Sequence, residues 1–149
     1  MTSSITIKGV DAVLRKIDKI ESPKMRRDAL QVGLNVAQEI ISEYPPQAAP
    51  SSKRGKYIRG KGWQTASGKQ YYTSQDLGAK WNTRVTNDKG ILGNAASYAP
   101  YVQGSRRTKP GQARLHDRNN WKSIDDLEKP PHIDKIVARM EREVSKAVK

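Results

Sequence analysis

The chain has 149 residues, of which 35% are hydrophobic, with 28 Lys and Arg against 15 Asp and Glu, a formal net charge of +13, no Cys and no Phe. That size suits a single domain with a modest core. The lack of cysteine excludes disulfides, thiolate metal sites and thiol nucleophiles, and makes a reducing cytoplasm the expected place of synthesis. No stretch offers the roughly 20 largely apolar residues of a membrane span or the apolar segment of a signal peptide, so neither insertion nor export is expected.

In chain order, Ile5, Ile7 and Val10 alternate with polar residues and predict a short strand, followed from Asp11 by an amphipathic helix on Val13, Leu14, Ile17 and Ile20. Ser22-Pro23 supplies an N-cap and a proline at the first helical position, so a second helix begins there. Its apolar stripe is Met25, Ala29, Leu34, Val36, Ala37, Ile40 and Ile41, and Pro45-Pro46 ends it after roughly 20 residues. From Gln47 to about Gly68 the composition is that of a loop longer than compact domains usually keep.

Two strands, Ala79 to Thr86 and Gly90 to Asn94, flank Asn87-Asp88-Lys89-Gly90, residues that tolerate the positive φ of tight hairpin turns, with Trp81 and Val85 on one face. A brief helix within Ala95 to Val102 packs Tyr98, Tyr101 and Val102, and Gly104 to Ala113 returns to basic loop. Asp117 caps a further helix carrying Trp121, Ile124 and Leu127. After Pro130-Pro131 a final helix presents Ile133, Ile136, Val137, Met140, Val144 and Val148. The reading is one α+β domain: N-terminal amphipathic helices and a C-terminal helix packed on a small antiparallel sheet, with a long basic loop.

Charge is unevenly distributed. Met1 to Tyr44 has 7 basic and 6 acidic residues, Pro45 to Arg118 has 14 and 3, and Asn119 to Lys149 has 7 and 6. The ends balance as solvated helices do, whereas the middle is built to meet an anion or to stay soluble. Its densest part, Lys53, Arg54, Lys56, Arg59, Lys61 and Lys69, has no acid between Gln47 and Tyr72 and is interleaved with Tyr57, Trp63, Tyr71 and Tyr72. Basic residues among aromatics suit phosphates and stacked bases.

Phosphate-binding loops, dinucleotide fingerprints, nucleophile elbows and zinc-protease helices are absent. His116 and His132 are the only histidines, and neither shows metal-ligand spacing. His116-Asp117 beside Arg114 has the residue types of a small ribonuclease, with imidazole as general base, although a packed histidine near Trp121 is the simpler expectation. Asp125, Asp126 and Glu128 read as a solvated helix face.

One stretch carries a resemblance. Tyr57-Ile58-Arg59, Leu77-Gly78-Ala79-Lys80-Trp81, Leu92-Gly93-Asn94, Tyr98-Ala99-Pro100-Tyr101-Val102-Gln103-Gly104, His116 and Trp121 follow one another across roughly half the chain. In this order they resemble tail-completion, or head-tail joining, proteins of tailed bacteriophages. The sequence departs from that pattern where Thr65-Ala66-Ser67-Gly68 stands apart from Leu77-Gly78.

The resemblance implies a non-enzymatic virion component without cofactor or metal, made in the host cytoplasm. It would assemble as a hexameric or dodecameric ring at the neck between portal and tail, or at the end of the tail tube. Its expected partners are further copies of itself, neighbouring neck, portal or tail proteins, and DNA in the channel without base reading. The anion- or partner-facing set is Lys53, Arg54, Lys56, Arg59 and Lys61 with Arg106, Arg107 and Lys109. The family-like structural set is Leu77, Gly78, Trp81, Tyr98, Ala99, Tyr101, Val102, Gly104, His116 and Trp121. The rival readings are a stand-alone nucleic-acid-binding protein and, behind it, the ribonuclease.

Overall fold

The computed structural model describes residues 11–46, 63–64, 67–71 and 76–147. The strand expected at Ile5 to Val10, most of the basic loop, and Val148 lie outside them.

Helix α1 (Asp11–Asp18) buries Val13 and Ile17, one turn apart on the same face, and the chain leaves it through Ile20, also buried. Helix α2 (Pro23–Ser42) starts where the sequence places it. Ser22 is extended, its hydroxyl accepts the Met25 amide at 3.4 Å, and Pro23 opens the first turn without leaving a donor unsatisfied. It ends at Ser42, as Glu43 turns extended ahead of Pro45 and Pro46.

The buried face of α2 is Ala29, Leu30, Gly33, Leu34, Ala37 and Ile41. Leu30 and Gly33 thus join the expected stripe, Val36 and Ile40 sit at its margin, and Met25 falls off it, 43% exposed at the start of the helix. The departure is angular: a six-residue face on a 3.6-residue repeat is centred between Ala29–Ala37 and Leu30–Ile41, which turns Met25 outward.

Two short antiparallel pairs follow. Strands β1 (Trp63–Gln64) and β2 (Gln70–Tyr71) pair in the register Trp63 to Tyr71 and Gln64 to Gln70. Trp63 and Gln64, expected in loop, are therefore strand. The connection contains Gly68 at φ +84°, a backbone region that side chains rarely adopt. Helix α3 (Asp76–Ala79) then takes up Ala79, expected in the next strand.

Strands β3 (Trp81–Val85) and β4 (Gly90–Asn94) form the expected hairpin, registered from Trp81 opposite Asn94 to Val85 opposite Gly90. Trp81, Thr83 and Val85 face inward and Asn82 and Arg84 outward, the period-2 alternation of a half-buried strand. The turn differs from expectation, because none of Asn87, Asp88, Lys89 and Gly90 has positive φ. Thr86 closes it instead: its amide donates to the Lys89 carbonyl at 2.8 Å, and its hydroxyl donates to Asp88 at 2.8 Å.

Helices α4 (Ala99–Gln103) and α5 (Arg114–Arg118), a 3-10 turn (Ile124–Glu128) and helix α6 (His132–Ala147) complete the described chain, a mixed α+β fold. The expected helix from Asp117 through Leu127 is split in two. Asp117 lies inside α5, which ends in a Schellman cap: the Trp121 amide donates to the His116 carbonyl and the Asn120 amide to Asp117, both at 3.0 Å, with Asn120 at φ 63°. Leu127 then enters the core from the 3-10 turn.

The main core joins α1, α2, α6, the hairpin and Leu127. Helix α2 is the shared element. Its Gly33 faces Met140 of α6 and its Leu34 lies over Gly90 of β4, so α6 packs along α2 more than on the sheet itself. Val144 flanks the start of α2 while Met140 lies on Gly33, so the two helices run antiparallel. Leu92→Ala, at a fully buried site, is expected to lower unfolding free energy by about 2–5 kcal/mol. Met25→Ala, on an exposed turn, should change it by no more than about 0.5 kcal/mol, both read by urea denaturation.

Candidate functional site

A second apolar cluster lies where the sequence signature falls. Leu77, Ala96, Ala99 and Val102 are buried together, with Tyr44 and Trp121 packed against them. The Tyr44 ring lies 5.1 Å from Trp121, and its hydroxyl accepts the Gly78 amide at 2.9 Å. The His116 ring meets Trp121 edge-on at 6.3 Å. Leu77, Gly78, Ala99, Val102 and Trp121 thus gather with Tyr44, and His116 joins them through Trp121, six residues scattered over 45 positions besides Tyr44, while Trp81 belongs to the main core.

Buried amides position the pieces. Asn94 donates to the Leu77 carbonyl at 2.7 Å and accepts the Ala96 amide at 2.9 Å, fixing the end of β4 against α3. Gln103, 1% exposed, donates to the Ile41 carbonyl at 2.6 Å, one of the last-turn carbonyls of α2 that lack a partner in the helix. At the end of α4 a side chain on Gly104 would place its Cβ 2.3 Å from the Pro100 carbonyl oxygen, so only glycine fits. Tyr98 and Tyr101, expected as packing residues, are 37% and 53% exposed. The inward face of this single-turn helix is taken by Ala99, Val102 and Gln103.

Beyond Gly104 the basic loop is fastened down. Asp125 accepts the Ser105 hydroxyl at 2.8 Å, the Arg106 amide at 2.8 Å and the Arg107 guanidinium at 2.9 Å. Arg107 also reaches Glu128 at 2.9 Å, and Arg106 reaches Asp117 at 2.9 Å and Asp126 at 3.3 Å. Asp126 accepts from the Ser123 amide at 2.8 Å and from Lys129 at 3.0 Å. Gln112 accepts from Arg106 and donates to the Val102 and Trp121 carbonyls at 2.9 and 2.8 Å, tying the loop to the second cluster.

This corrects one expectation: Asp125, Asp126 and Glu128 are acceptors for Arg106 and Arg107 instead of a solvated face. Arg106 and Arg107, expected to face an anion or a partner, make these pairs with side chains that stay 39% and 57% exposed. The charge count along the sequence separated these partners, because each arginine and its acid in the 3-10 turn are 18 to 21 positions apart. Lys109 is exposed and has no ion pair among the described residues. Lys53, Arg54, Lys56, Arg59 and Lys61 lie outside the described residues.

Protonation follows the contacts. Burial pushes the Asp125 carboxyl up, but the hydrogen bonds from Ser105, Arg106 and Arg107 together hold it below the usual range. Asp126 behaves alike under Ser123, Lys129 and Arg106. Burial lowers the His116 imidazole, and burial with Lys122 and Lys135 nearby lowers that of His132. Among the described residues, no group of His, Asp and Glu is arranged to hold a metal ion, and no helix is long and apolar enough to cross a membrane.

No protein-family model matches the chain, and no curated protein or solved structure shows significant similarity to it.

Because Asp125 and Asp126 titrate below their unfolded value, the unfolded chain binds more protons as pH falls through about 4. The stability they contribute is full at neutral pH and is lost on acidification through their lowered folded values. Asp125→Asn is expected to cost about 1–3 kcal/mol at pH 7, by leaving Arg107 and the loop amide poorly matched. The cost should shrink as the pH of urea denaturation is lowered below about 4, and hydrogen exchange at the Arg106 amide should report the released loop.

Proposed function

We propose that this chain is a structural virion protein: a non-enzymatic, ring-forming adaptor at the head-tail interface of a tailed phage, or a completion protein at the end of the tail tube. The observation that carries this reading is the gathering of Leu77, Gly78, Ala99, Val102 and Trp121 with Tyr44 in one cluster, which His116 joins by packing on Trp121. Residues that follow one another as a family-like signature are also neighbours in space, so one packed unit gives them a common purpose.

The same unit has an outer side suited to assembly. Tyr98 and Tyr101 stand outward from a helix whose inner face and following loop are immobilised by Gln103, Gln112 and the Arg106–Arg107 ion pairs. A preordered surface loses little conformational freedom on association. Lys53, Arg54, Lys56, Arg59, Lys61 and Lys109 remain the cations proposed to face DNA phosphates or acidic neighbours, and a ring repeats their field in every subunit. The protein would be made in the bacterial cytoplasm, carry no cofactor and finish in the neck or tail of the virion.

Light scattering of the purified chain, at low and high salt and with and without duplex DNA, tests this together with negative-stain imaging. A closed ring whose formation is indifferent to DNA is the expected result. A monomer that binds DNA at low salt, with affinity falling steeply as salt rises, would replace the adaptor by a stand-alone nucleic-acid-binding protein.

A further inference from the structure

The segment Asn119 to Lys149 balances 7 basic residues against 6 acidic ones along the sequence, but the fold undoes that balance. Asp125, Asp126 and Glu128 are taken by Arg106 and Arg107 of the loop after α4. Glu141 of α6 is taken by Lys16 of α1 at 3.1 Å. The cations of α6 are therefore left with fewer acids than the count along the chain supplies.

Those cations form a row. Lys135, Arg139, Arg142 and Lys146 follow one another at alternating steps of four and three residues, the spacing that keeps side chains on one face of a helix. At 3.6 residues per turn they fall within about 60° of one another and extend over about 16 Å of helix axis. All four are exposed. Lys146 pairs with Glu143 at 3.3 Å, whereas Lys135, Arg139 and Arg142 make no ion pair among the described residues. The acids Asp134, Glu141 and Glu143 project at least about 70° away from the middle of the row.

The far side of the helix is already in use, with Ile133, Ile136, Met140 and Val144 buried in the main core. A basic helix whose apolar face is covered cannot lay that face into a lipid interface or into the groove of another protein. Among the described residues, the exposed large apolar side chains are Met25, Tyr98, Tyr101 and Leu115, and none belongs to α6. Protein interfaces are organised around apolar or aromatic anchors, whereas a nucleic-acid backbone needs only cations along a line. A row of about 16 Å faces about five phosphates of one B-DNA strand, at 3.4 Å per step. Helix α6 has no Asn or Gln, the side chains that pair with adenine, so the row is suited to phosphates and not to base edges.

We infer that the outward face of α6 binds the phosphate backbone of duplex DNA without reading its sequence, through Lys135, Arg139 and Arg142, with Lys146 at the end of the row. This deepens the adaptor reading by giving DNA a place on the described surface, and rests on it only for the biological setting.

The test is fluorescence anisotropy with labelled duplexes of two unrelated sequences, titrated across a series of salt concentrations. One triple variant carries Lys135→Gln, Arg139→Gln and Arg142→Gln. A control carries Lys80→Gln, Arg84→Gln and Lys89→Gln, which removes the same charge from exposed positions around the hairpin. Circular dichroism and urea denaturation check that both remain folded. The α6 variant should bind both duplexes more weakly and to the same degree, and its plot of log affinity against log salt should be shallower by about 3, one for each lost phosphate contact. The control should keep the wild-type slope.

An α6 variant that binds like the wild type, an equal loss in the control, a loss confined to one sequence, or a wild-type chain that ignores DNA at the lowest salt would each overturn the inference. A face that holds polyglutamate but not duplex DNA would overturn it in favour of an acidic protein. Light scattering of the same samples reports ring formation separately. A ring whose α6 variant holds DNA as well as the wild type keeps the adaptor reading and removes this inference, whereas a monomer whose DNA affinity depends on α6 does the reverse.

Discussion

The last turn of α2 holds two apolar clusters in one molecule. Ile41 is fully buried in the main core, yet its backbone carbonyl is held by Gln103 of the second cluster. Three residues on, Tyr44 packs against Trp121 and takes the Gly78 amide. A buried carbonyl without a partner is costly, so the Gln103 bond both satisfies the helix end and sets where α4 sits. The placement of Ala99, Val102 and Gly104, and through Gln112 that of the basic loop, depends on this junction.

The loop illustrates how a local surplus of charge becomes part of the fold. Isolated surface ion pairs contribute little. Here Asp125 has a side chain only 12% exposed and accepts two side-chain donors and one backbone amide, so the pairs act with hydrogen bonds in partial burial. Arg106 and Arg107 therefore tie the loop after α4 to the 3-10 turn while their side chains stay exposed.

Exposed Tyr98 and Tyr101 stand on a short helix that cannot shift without breaking the buried Gln103–Ile41 bond. His116, the residue with the clearest catalytic credentials in the sequence, is occupied in edge-on packing against Trp121.

The sequence by itself determined what depends on neighbouring residues. Ser22-Pro23 set the start of α2 and Pro45-Pro46 its end, alternation set the inward face of β3, and the 3.6-residue stripe set α6, because capping, φ restriction and periodicity act within a few residues. Tertiary structure alone decided what depends on partners far along the chain. Met25 turned outward once Leu30 and Gly33 had partners in α6 and the hairpin, Tyr98 and Tyr101 were left outside when Gln103 found Ile41, and Arg106 and Arg107 met Asp117, Asp125, Asp126 and Glu128 across a fold-back. Charge and hydrophobicity are properties of residues, but pairing and burial are properties of positions in space, and only the folded chain supplies those.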